Sequence, residues 1–167
     1  MPPVLSIVGK SESGKTTLIE RLIPELKRRG YRVGIVKHAH HGFDMDREGK
    51  DSYRHRKAGA DTVMVASPGQ IAMIKDVPGE SLENLIAYFD DVDLLLTEGF
   101  KRDHAPKIEI FRAERHQHPA CLEDETLLAV VSDTPLGVVV PQFATADIQA
   151  ITDFIVGRFL MARRTAP

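Results

Sequence analysis

The sequence contains little cysteine, no long apolar run and almost no excess of charge of either sign. Its single cysteine, Cys121, cannot form a disulfide within the chain, so nothing indicates an oxidising compartment. No apolar segment approaches the roughly 18 residues that a membrane-spanning helix requires, and a strand-like segment begins at once, without a basic and then apolar leader. We therefore expect a cytoplasmic protein that has no membrane partner.

Charge and length limit the partners and the size of the core. The 22 Lys and Arg residues and the 24 Asp and Glu residues give a formal net charge of −2 at pH 7, which argues against a nucleic-acid partner. Basic residues nevertheless cluster at 27–29 and 50–57, where they suit an anionic small molecule or simply form solvated helix faces. The chain suits one domain, 1–167, that buries about 70 % of its unfolded surface.

An octapeptide beginning at Gly9 matches the phosphate-binding pattern G-x-x-x-x-G-K-[ST] at every fixed position. It follows an apolar run and precedes a helix-like segment, which is the context that this motif requires. Backbone N–H groups of such a loop surround an anion, Lys15 reaches the β and γ phosphates, and the Thr16 hydroxyl binds Mg²⁺. Lys15 is also a candidate catalytic residue. The predicted nucleotide-binding residues of this segment are Gly9, Ser11, Glu12, Ser13, Gly14, Lys15, Thr16 and Thr17.

A second element is the hydrophobic strand 93–97, which is followed by the acid Glu98 and by Gly99. In open α/β sheets ligands gather at the carboxyl ends of the strands, and a carboxylate placed there holds Mg²⁺ beside the phosphate loop. We therefore predict Glu98 as a metal ligand. A helix-capping or surface acid after a core strand is the alternative interpretation.

A third cluster follows the next strand-like segment and therefore lies on the same predicted edge of the sheet. Lys37 and His38 are candidate contacts to phosphate, whereas Asp44 and Asp46 are candidate catalytic residues that orient an attacking water. Asp44 is in addition a candidate Mg²⁺ ligand. The histidines at 38, 40 and 41 invite a Zn²⁺ or Ni²⁺ site, but imidazoles that face an anion are the favoured interpretation. The histidines interpreted as surface residues are His55, His116 and His118.

Strand-like and helix-like segments alternate along the chain, which predicts an α/β fold with a doubly wound, mostly parallel sheet of the P-loop NTPase type. The first helix is expected from Lys15 to Arg29, with a kink at Pro24. Two strands around Ser67-Pro68-Gly69 predict an inserted antiparallel hairpin. The other expected strands are 32–37, 93–97, 107–111, 127–131 and 137–140, and the other expected helices are 51–58, capped by Asp51, 81–89, and a last one with the stripe Ile148, Ile151, Ile155 and Phe159.

Several of these segments occur together in one order. They are Gly9–Thr16, Lys37-His38 with Asp44 and Asp46, Gly49–Arg54 running into Ala58-Gly59-Ala60, Thr97–Lys101 and Pro106–Glu109. In this combination the chain resembles, up to about Val140, the MobB family of molybdopterin-guanine dinucleotide biosynthesis adaptors. The resemblance implies binding of GTP and Mg²⁺, a homodimer with a sheet extended across the interface, and a role beside the guanylyltransferase that joins GMP to molybdopterin and beside other proteins of that cofactor pathway. It implies a weak GTPase at most, which contributes mainly by binding or delivery.

Base choice depends on Asp133, which follows the hydrophobic strand 127–131. In many guanine-binding proteins an Asp at about this place accepts from two adjacent guanine donors, although no complete Asn-Lys-x-Asp motif is present here. Asp133 is thus a predicted nucleotide-binding residue, and capping of the turn before Pro135 is an equally good interpretation. Two other functions stay open, namely a small P-loop kinase and a metal-delivery GTPase that uses the histidines.

Overall fold

The computed structural model describes residues 1–39, 42–43, 45–79 and 81–161. Within these ranges no helix has both the length and the apolar character needed to cross a membrane. The elements in chain order are β1 (Val4–Val8), α1 (Lys15–Arg28), β2 (Val33–Lys37), α2 (Asp51–Lys57), β3 (Thr62–Ser67), β4 (Gln70–Lys75), α3 (Leu82–Ile86), β5 (Leu94–Glu98), β6 (Lys107–Ile110), β7 (Leu127–Val131), β8 (Gln142–Phe143) and α4 (Ile148–Phe159).

The chain divides into two compact units, the first formed by Met1–His38 with Leu82–Pro167 and the second by Ala39–Ser81. The first unit holds a six-stranded sheet in the order β2-β5-β1-β6-β7-β8, and its described strand pairs are parallel. The second holds α2 and the antiparallel pair β3-β4. The predicted α/β class, with a mostly parallel sheet and an inserted hairpin, is confirmed. The single domain over 1–167 stays a prediction.

The central strands of the sheet are buried on both faces, as is usual for parallel strands. In β5, Leu94, Leu95 and Leu96 are all fully buried. One face of the sheet is covered by α1 and α4, whose apolar side chains recur at helical spacing. The buried residues that these two helices contribute to the main core are Leu18, Ile19, Leu22, Leu26, Ile151 and Ile155.

A smaller cluster of buried residues contains Val8, Phe111, Cys121, Leu127 and Val130. Burial raises the pKa of the Cys121 thiol, and nearby acidic side chains add to this effect. The segment after β6 therefore returns to the sheet and packs against it.

Most predicted element bounds agree with the structure to within one or two residues, and three expectations are wrong. The strand predicted at 137–140 is absent, because these residues run irregularly and the pairing with β7 is made by β8. The helix predicted over 81–89 ends at Ile86 and continues only as turns. Asp51 is the first helical residue and not the cap, since Lys50 occupies the cap position.

The hairpin forms as its turn residues require. Ser67 lies opposite Gln70, so Pro68 and Gly69 alone connect the two strands. Gly69 has a φ of 83°, a backbone conformation that residues other than glycine rarely adopt. The Pro-Gly sequence thus fixes the register of this pair.

Strand β6 buries two side chains of opposite charge, and each of them has several hydrogen-bond partners. The Lys107 ammonium is surrounded by the Thr126 hydroxyl, the carbonyl oxygens of Asp103 and Ala105, and the Asp124 carboxylate at 3.0 Å. The Glu109 carboxylate accepts from two backbone N–H groups, those of residues 120 and 121. A buried charge that lost these partners would strongly destabilise the fold.

Asp124 makes the stability of the protein dependent on pH in the acid range. Hydrogen bonds from Thr126, followed by the Lys107 ammonium, lower the pKa of Asp124 from 3.8 to about 2. Because the folded pKa is depressed, this contribution to stability is complete above the ordinary value and is lost as pH falls through about 2. We predict that Asp124→Asn lowers the free energy of unfolding at neutral pH and flattens its decline between pH 4 and pH 2, as measured by denaturant titration at each pH.

The matched control for this prediction is Glu123→Gln, which changes the charge of the exposed neighbouring residue. The slope of stability against pH should stay as it is in the unmodified protein. An Asp124→Asn curve that runs parallel to the unmodified one would mean that the carboxylate contributes nothing to the acid transition.

Candidate functional site

The segment Gly9–Thr16, here called the glycine-rich loop, connects β1 to α1 at the carboxyl edge of the sheet. Its backbone has positive φ at Gly9 (146°), Glu12 (59°) and Gly14 (99°). A Cβ on Gly9 would collide with the carbonyl oxygen of Ile110 and lie 2.6 Å from the Ser13 hydroxyl. The first glycine is therefore required both by its conformation and by the closeness of β6.

The loop leaves polar groups directed at its own concave side. Lys15 folds back so that Nζ donates to the carbonyl oxygens of Gly9 (3.1 Å) and Lys10 (2.8 Å). Gly14, the N-cap of α1, provides no side-chain cap, so the first-turn N–H groups lack that partner. The Ser13 hydroxyl is buried and has no hydrogen-bond partner within the described part of the chain. These donors fit an anion at the helix N-terminus.

The electrostatic environment of Lys15 also favours a bound anion. Partial burial lowers the pKa of Lys15, which the carboxylate of Glu98 opposes and the nearby ammonium groups of Lys101 and Lys37 reinforce. A bound anion would stabilise the charged ammonium. A cavity of ≈ 380 Å³ opens at this point. Its lining residues are Ser11, Glu12, Gly14, Lys15, Thr16, Thr17, Glu98 and Arg112.

Glu98 stands beside the loop because β5 pairs with β1. In the register Ile7 lies opposite Glu98, and the Thr16 hydroxyl donates to Glu98 Oε1 at 2.9 Å. Lys37, at the end of β2, lies 3.4 Å from the same oxygen. The predicted association of Thr16, Lys37 and Glu98 at one edge is thus present.

A hydroxyl and a carboxylate are oxygen ligands of the kind that Mg²⁺ prefers, so these residues fit that ion. Thr16 and Glu98 are the residues that would hold it. In the described ranges no group of three His, Cys, Asp or Glu residues forms a metal-binding cluster. A magnesium ion here would therefore take its remaining ligands from water and phosphate, as is usual for this ion.

His38 and Phe100 shape the same edge. The imidazole of His38 stacks on the Phe100 ring with centroids 4.7 Å apart. The backbone N–H of His38 donates to the Glu98 carbonyl at 3.0 Å. Phe100 has a φ of 55°, which is uncommon for a bulky residue. Nothing in the local sequence pattern indicates a positive φ at Phe100.

The remaining residues of the third cluster belong to the second unit or lie outside the described residues. Asp44, His40 and His41 lie outside the described residues. Asp46 belongs to the second unit, where its Oδ1 accepts from the Ser52 hydroxyl (2.8 Å) and the Arg47 N–H (3.0 Å) at the start of α2. Roles of Asp44 and Asp46 in catalysis, and of Asp44 in metal binding, stay predictions.

Asp133 borders a second cavity of ≈ 340 Å³. Its two carboxylate oxygens accept from the Thr145 N–H (2.8 Å) and hydroxyl (2.6 Å), and these hydrogen bonds lower the pKa of Asp133. The turn before Pro135 is held instead by the Ser132 hydroxyl, which accepts from the Thr134 N–H. Capping of that turn by Asp133 is therefore wrong, whereas its contact to a base stays a prediction. The cavity is lined by Phe111, Arg112, Ala113, Glu114, Arg115, Ser132, Asp133 and Thr134.

The segment after β6 contacts the glycine-rich loop, and this contact has no signal in the local sequence. His116 Nε2 donates to the Ser11 carbonyl at 2.7 Å, so this partly exposed histidine, which was predicted to lie at the surface, also contacts the loop. Arg115 lies 3.5 Å from Glu12. These partners are more than 100 residues apart in the chain, and no local pattern could connect them.

These features define an α/β protein in which a glycine-rich loop, a lysine and an acid from the neighbouring strand meet at the carboxyl edge of a parallel sheet. The family model described as Molybdopterin guanine dinucleotide synthesis protein B matches residues 4–133. The chain belongs to this family.

Known relatives agree over nearly the whole length. A molybdopterin-guanine dinucleotide biosynthesis adapter protein of Escherichia coli is 41% identical over 162 residues and covers 93% of each chain. Its counterpart in Haemophilus influenzae is 43% identical over 156 residues, covering 92% of this chain and 87% of the relative. The crystal structure of Bacillus subtilis MobB superposes with a TM-score of 0.76 at 28% identity, covering 95% of this chain and 99% of that chain.

The steric argument about Gly9 leads to a stability prediction. Gly9→Ala should lower the free energy of unfolding by about 1–3 kcal/mol, because the new Cβ meets the Ile110 carbonyl and the backbone conformation is strained. The matched control is Gly59→Ala, at a φ of 104° with no atom within 4 Å of the new Cβ. Gly59→Ala should lower the free energy of unfolding only through the strained backbone conformation, by about 1 kcal/mol. Equal losses in urea titrations would show that contact with β6 is unimportant.

Proposed function

We propose that this chain binds Mg-GTP on the glycine-rich loop and acts as an adapter in molybdopterin-guanine dinucleotide biosynthesis. The observation that carries the proposal is the meeting of Lys15, Thr16 and Glu98 at one sheet edge, in a chain of the MobB family. The names of the relatives in Escherichia coli and Haemophilus influenzae support the adapter role.

Phosphate binding is supported by the donors already described. Lys15 would exchange its two carbonyl partners for the β and γ phosphates, a change that needs only rotation of a flexible side chain. The buried Ser13 hydroxyl and the first-turn N–H groups of α1 would complete the anion site. Magnesium, when bound, neutralises charge on the phosphate oxygens, and Thr16 and Glu98 would hold it.

Slow turnover is our inference from the carboxylates along the phosphate cavity. Among the described lining residues these are Glu12 and Glu98. Glu98 accepts from Thr16 and pairs with Lys37, and Glu12 faces Arg115. A general base must be within hydrogen-bond reach of the attacking water and unengaged, so neither carboxylate suits this task. Binding is accordingly the main activity that we assign, with weak GTP hydrolysis at most.

Guanine as the base is supported by Asp133. Its carboxylate borders the second cavity, and a carboxylate offers two acceptors to the adjacent N1–H and amino donors of guanine. Thr145 already holds this carboxylate in a fixed orientation. Each oxygen keeps a further lone pair, so the contact to Thr145 and a contact to a base are compatible.

A homodimer is supported by the hairpin. Met64 lies opposite Met73, and Ile71 stands on the same face, with 53%, 40% and 66% of their surfaces exposed. An isolated two-stranded hairpin is marginally stable in water, and an exposed apolar face of this kind marks an association surface. We assign a second copy of this chain to it, and the guanylyltransferase of the pathway as a further partner in the cytoplasm. A small kinase and a metal-delivery GTPase remain alternatives, and the comparison of GTP with ATP below tests the first of them.

Nucleotide binding is tested first with Lys15→Ala. Removal of charge-assisted hydrogen bonds, each worth about 1.5–3 kcal/mol, should weaken GTP binding at least tenfold in calorimetry. Lys27→Ala, at the exposed far end of α1, removes the same charge and should leave the affinity unchanged. Titrations of the unmodified protein with ATP, and without Mg²⁺, should give weaker binding. Equal affinities of Lys15→Ala and the unmodified protein would refute the phosphate site, and a preference for ATP would favour a kinase.

The metal role is tested with Glu98→Gln, which keeps the shape and removes the charge. Hydrolysis of GTP should fall and require more Mg²⁺, while metal-free nucleotide binding changes little. Glu20→Gln, on the exposed face of α1, is the control with the same chemical change. Superimposable Mg²⁺ titrations of hydrolysis for Glu98→Gln and the unmodified protein would make Glu98 a structural acid.

The adapter role needs its own measurement. Purified guanylyltransferase should form more molybdopterin-guanine dinucleotide when this chain is added. The Lys15→Ala variant should increase the dinucleotide yield less than the Lys27→Ala variant does. Dinucleotide yields that do not respond to the unmodified chain would contradict the adapter role without affecting the phosphate site.

A further inference from the structure

Arg112 lies where the two cavities meet. It follows β6 by two residues, and it lines both the phosphate cavity and the cavity that contains Asp133. Its Nε and Nη2 atoms are each 3.3 Å from the position that a Cβ on Gly14 would occupy. The guanidinium therefore lies against the N-cap of α1.

The Arg112 guanidinium is exposed to solvent and lies among groups of both charges. Within the described ranges we find no hydrogen bond or ion pair made by the Arg112 side chain, whereas Arg115 nearby faces Glu12 at 3.5 Å. The N-terminus of a 14-residue helix carries positive partial charge, and Lys15 adds a full charge in the same cavity. Although the carboxylates of Glu12 and Glu98 line the same cavity, a phosphate there would meet the helix N-terminus, Lys15 and Arg112 together.

We propose that Arg112 binds the polyphosphate chain of the nucleotide, between the terminal phosphates on the glycine-rich loop and the nucleoside on the side of Asp133. The inference rests on the proposed function. A guanidinium presents its N–H donors as a planar fork that matches phosphate oxygens, so two hydrogen bonds to one phosphate are geometrically natural.

The segment that carries Arg112 is already held on the loop. His116 donates to the Ser11 carbonyl and Arg115 faces Glu12 at the far end of the turn after Arg112, and the Phe111 N–H donates to the Val131 carbonyl just before it. Because the side chain starts from an ordered turn, less entropy is lost when it binds. The contact would also select against ligands that lack a phosphate chain.

The test compares unmodified protein with Arg112→Gln and Arg112→Lys, using GTP and inorganic triphosphate as probes that displace a fluorescent GTP analogue. Arg112→Gln should weaken both probes roughly tenfold. Arg112→Lys should recover part of the loss, since it keeps the charge without the fork. Arg158→Gln, which lines neither cavity, should bind as the unmodified protein does. The ligand-free melting temperature of Arg112→Gln should not fall, because no partner is lost.

Three outcomes would overturn the proposal. Unchanged affinity of Arg112→Gln for both probes would mean that the guanidinium does not meet the ligand. A loss for GTP alone would move the contact to the sugar or base, and a lower ligand-free melting temperature with proportionate loss of binding would make Arg112 structural. Failure of the unmodified protein to bind either probe would instead be failure of the proposed function.

Discussion

The close approach of β1 to β6 at Gly9 is the constraint on which the candidate site depends. Because Gly9 has no Cβ, the chain can turn sharply at the end of β1 while it lies against the Ile110 carbonyl. The central position of β1, between β5 and β6, then places Glu98 on one side of the loop and Arg112 on the other. Side chains from three parallel strands meet around one helix N-terminus, the arrangement that α/β sheets offer to ligands.

The charges around this edge are unequal, and the imbalance gives the site its chemistry. Lys15, Lys37 and Arg112 bring three cations, whereas the carboxylates are those of Glu12 and of Glu98, which already contacts Thr16 and Lys37. The pKa of Lys15 is lowered first by its partial burial, against the opposing effect of the Glu98 carboxylate, and then by the neighbouring ammonium groups of Lys101 and Lys37. A polyanion offsets this positive charge, and Mg²⁺ beside Glu98 would neutralise part of the negative charge on the phosphate oxygens.

Local patterns predicted much of this arrangement, and contacts between distant segments could not be predicted. The loop at Gly9, the strand that ends at Glu98 and the turn at Pro68-Gly69 each carry their signal within a few residues. The strand expected at 137–140 failed because Val138 and Val140 pack against the smaller core without pairing, and Val139 is exposed. Arg112 and His116 were missed since their partners are set by the path of the chain after β6.

That path is fixed by charges inside β6 itself. Lys107 and Glu109 have 0% and 1% of their surfaces exposed, and desolvation of two such groups is expensive unless every hydrogen bond is made. Glu109 meets this requirement by accepting the N–H groups of Ala120 and Cys121, which draws the segment after β6 back onto the sheet. The turn that carries Arg112 therefore lies between β6 and residues 120 and 121, which are hydrogen-bonded to Glu109 of β6. The stability of the strand and the geometry of the phosphate cavity are coupled for this reason, since loosening Glu109 would release the segment that covers the glycine-rich loop.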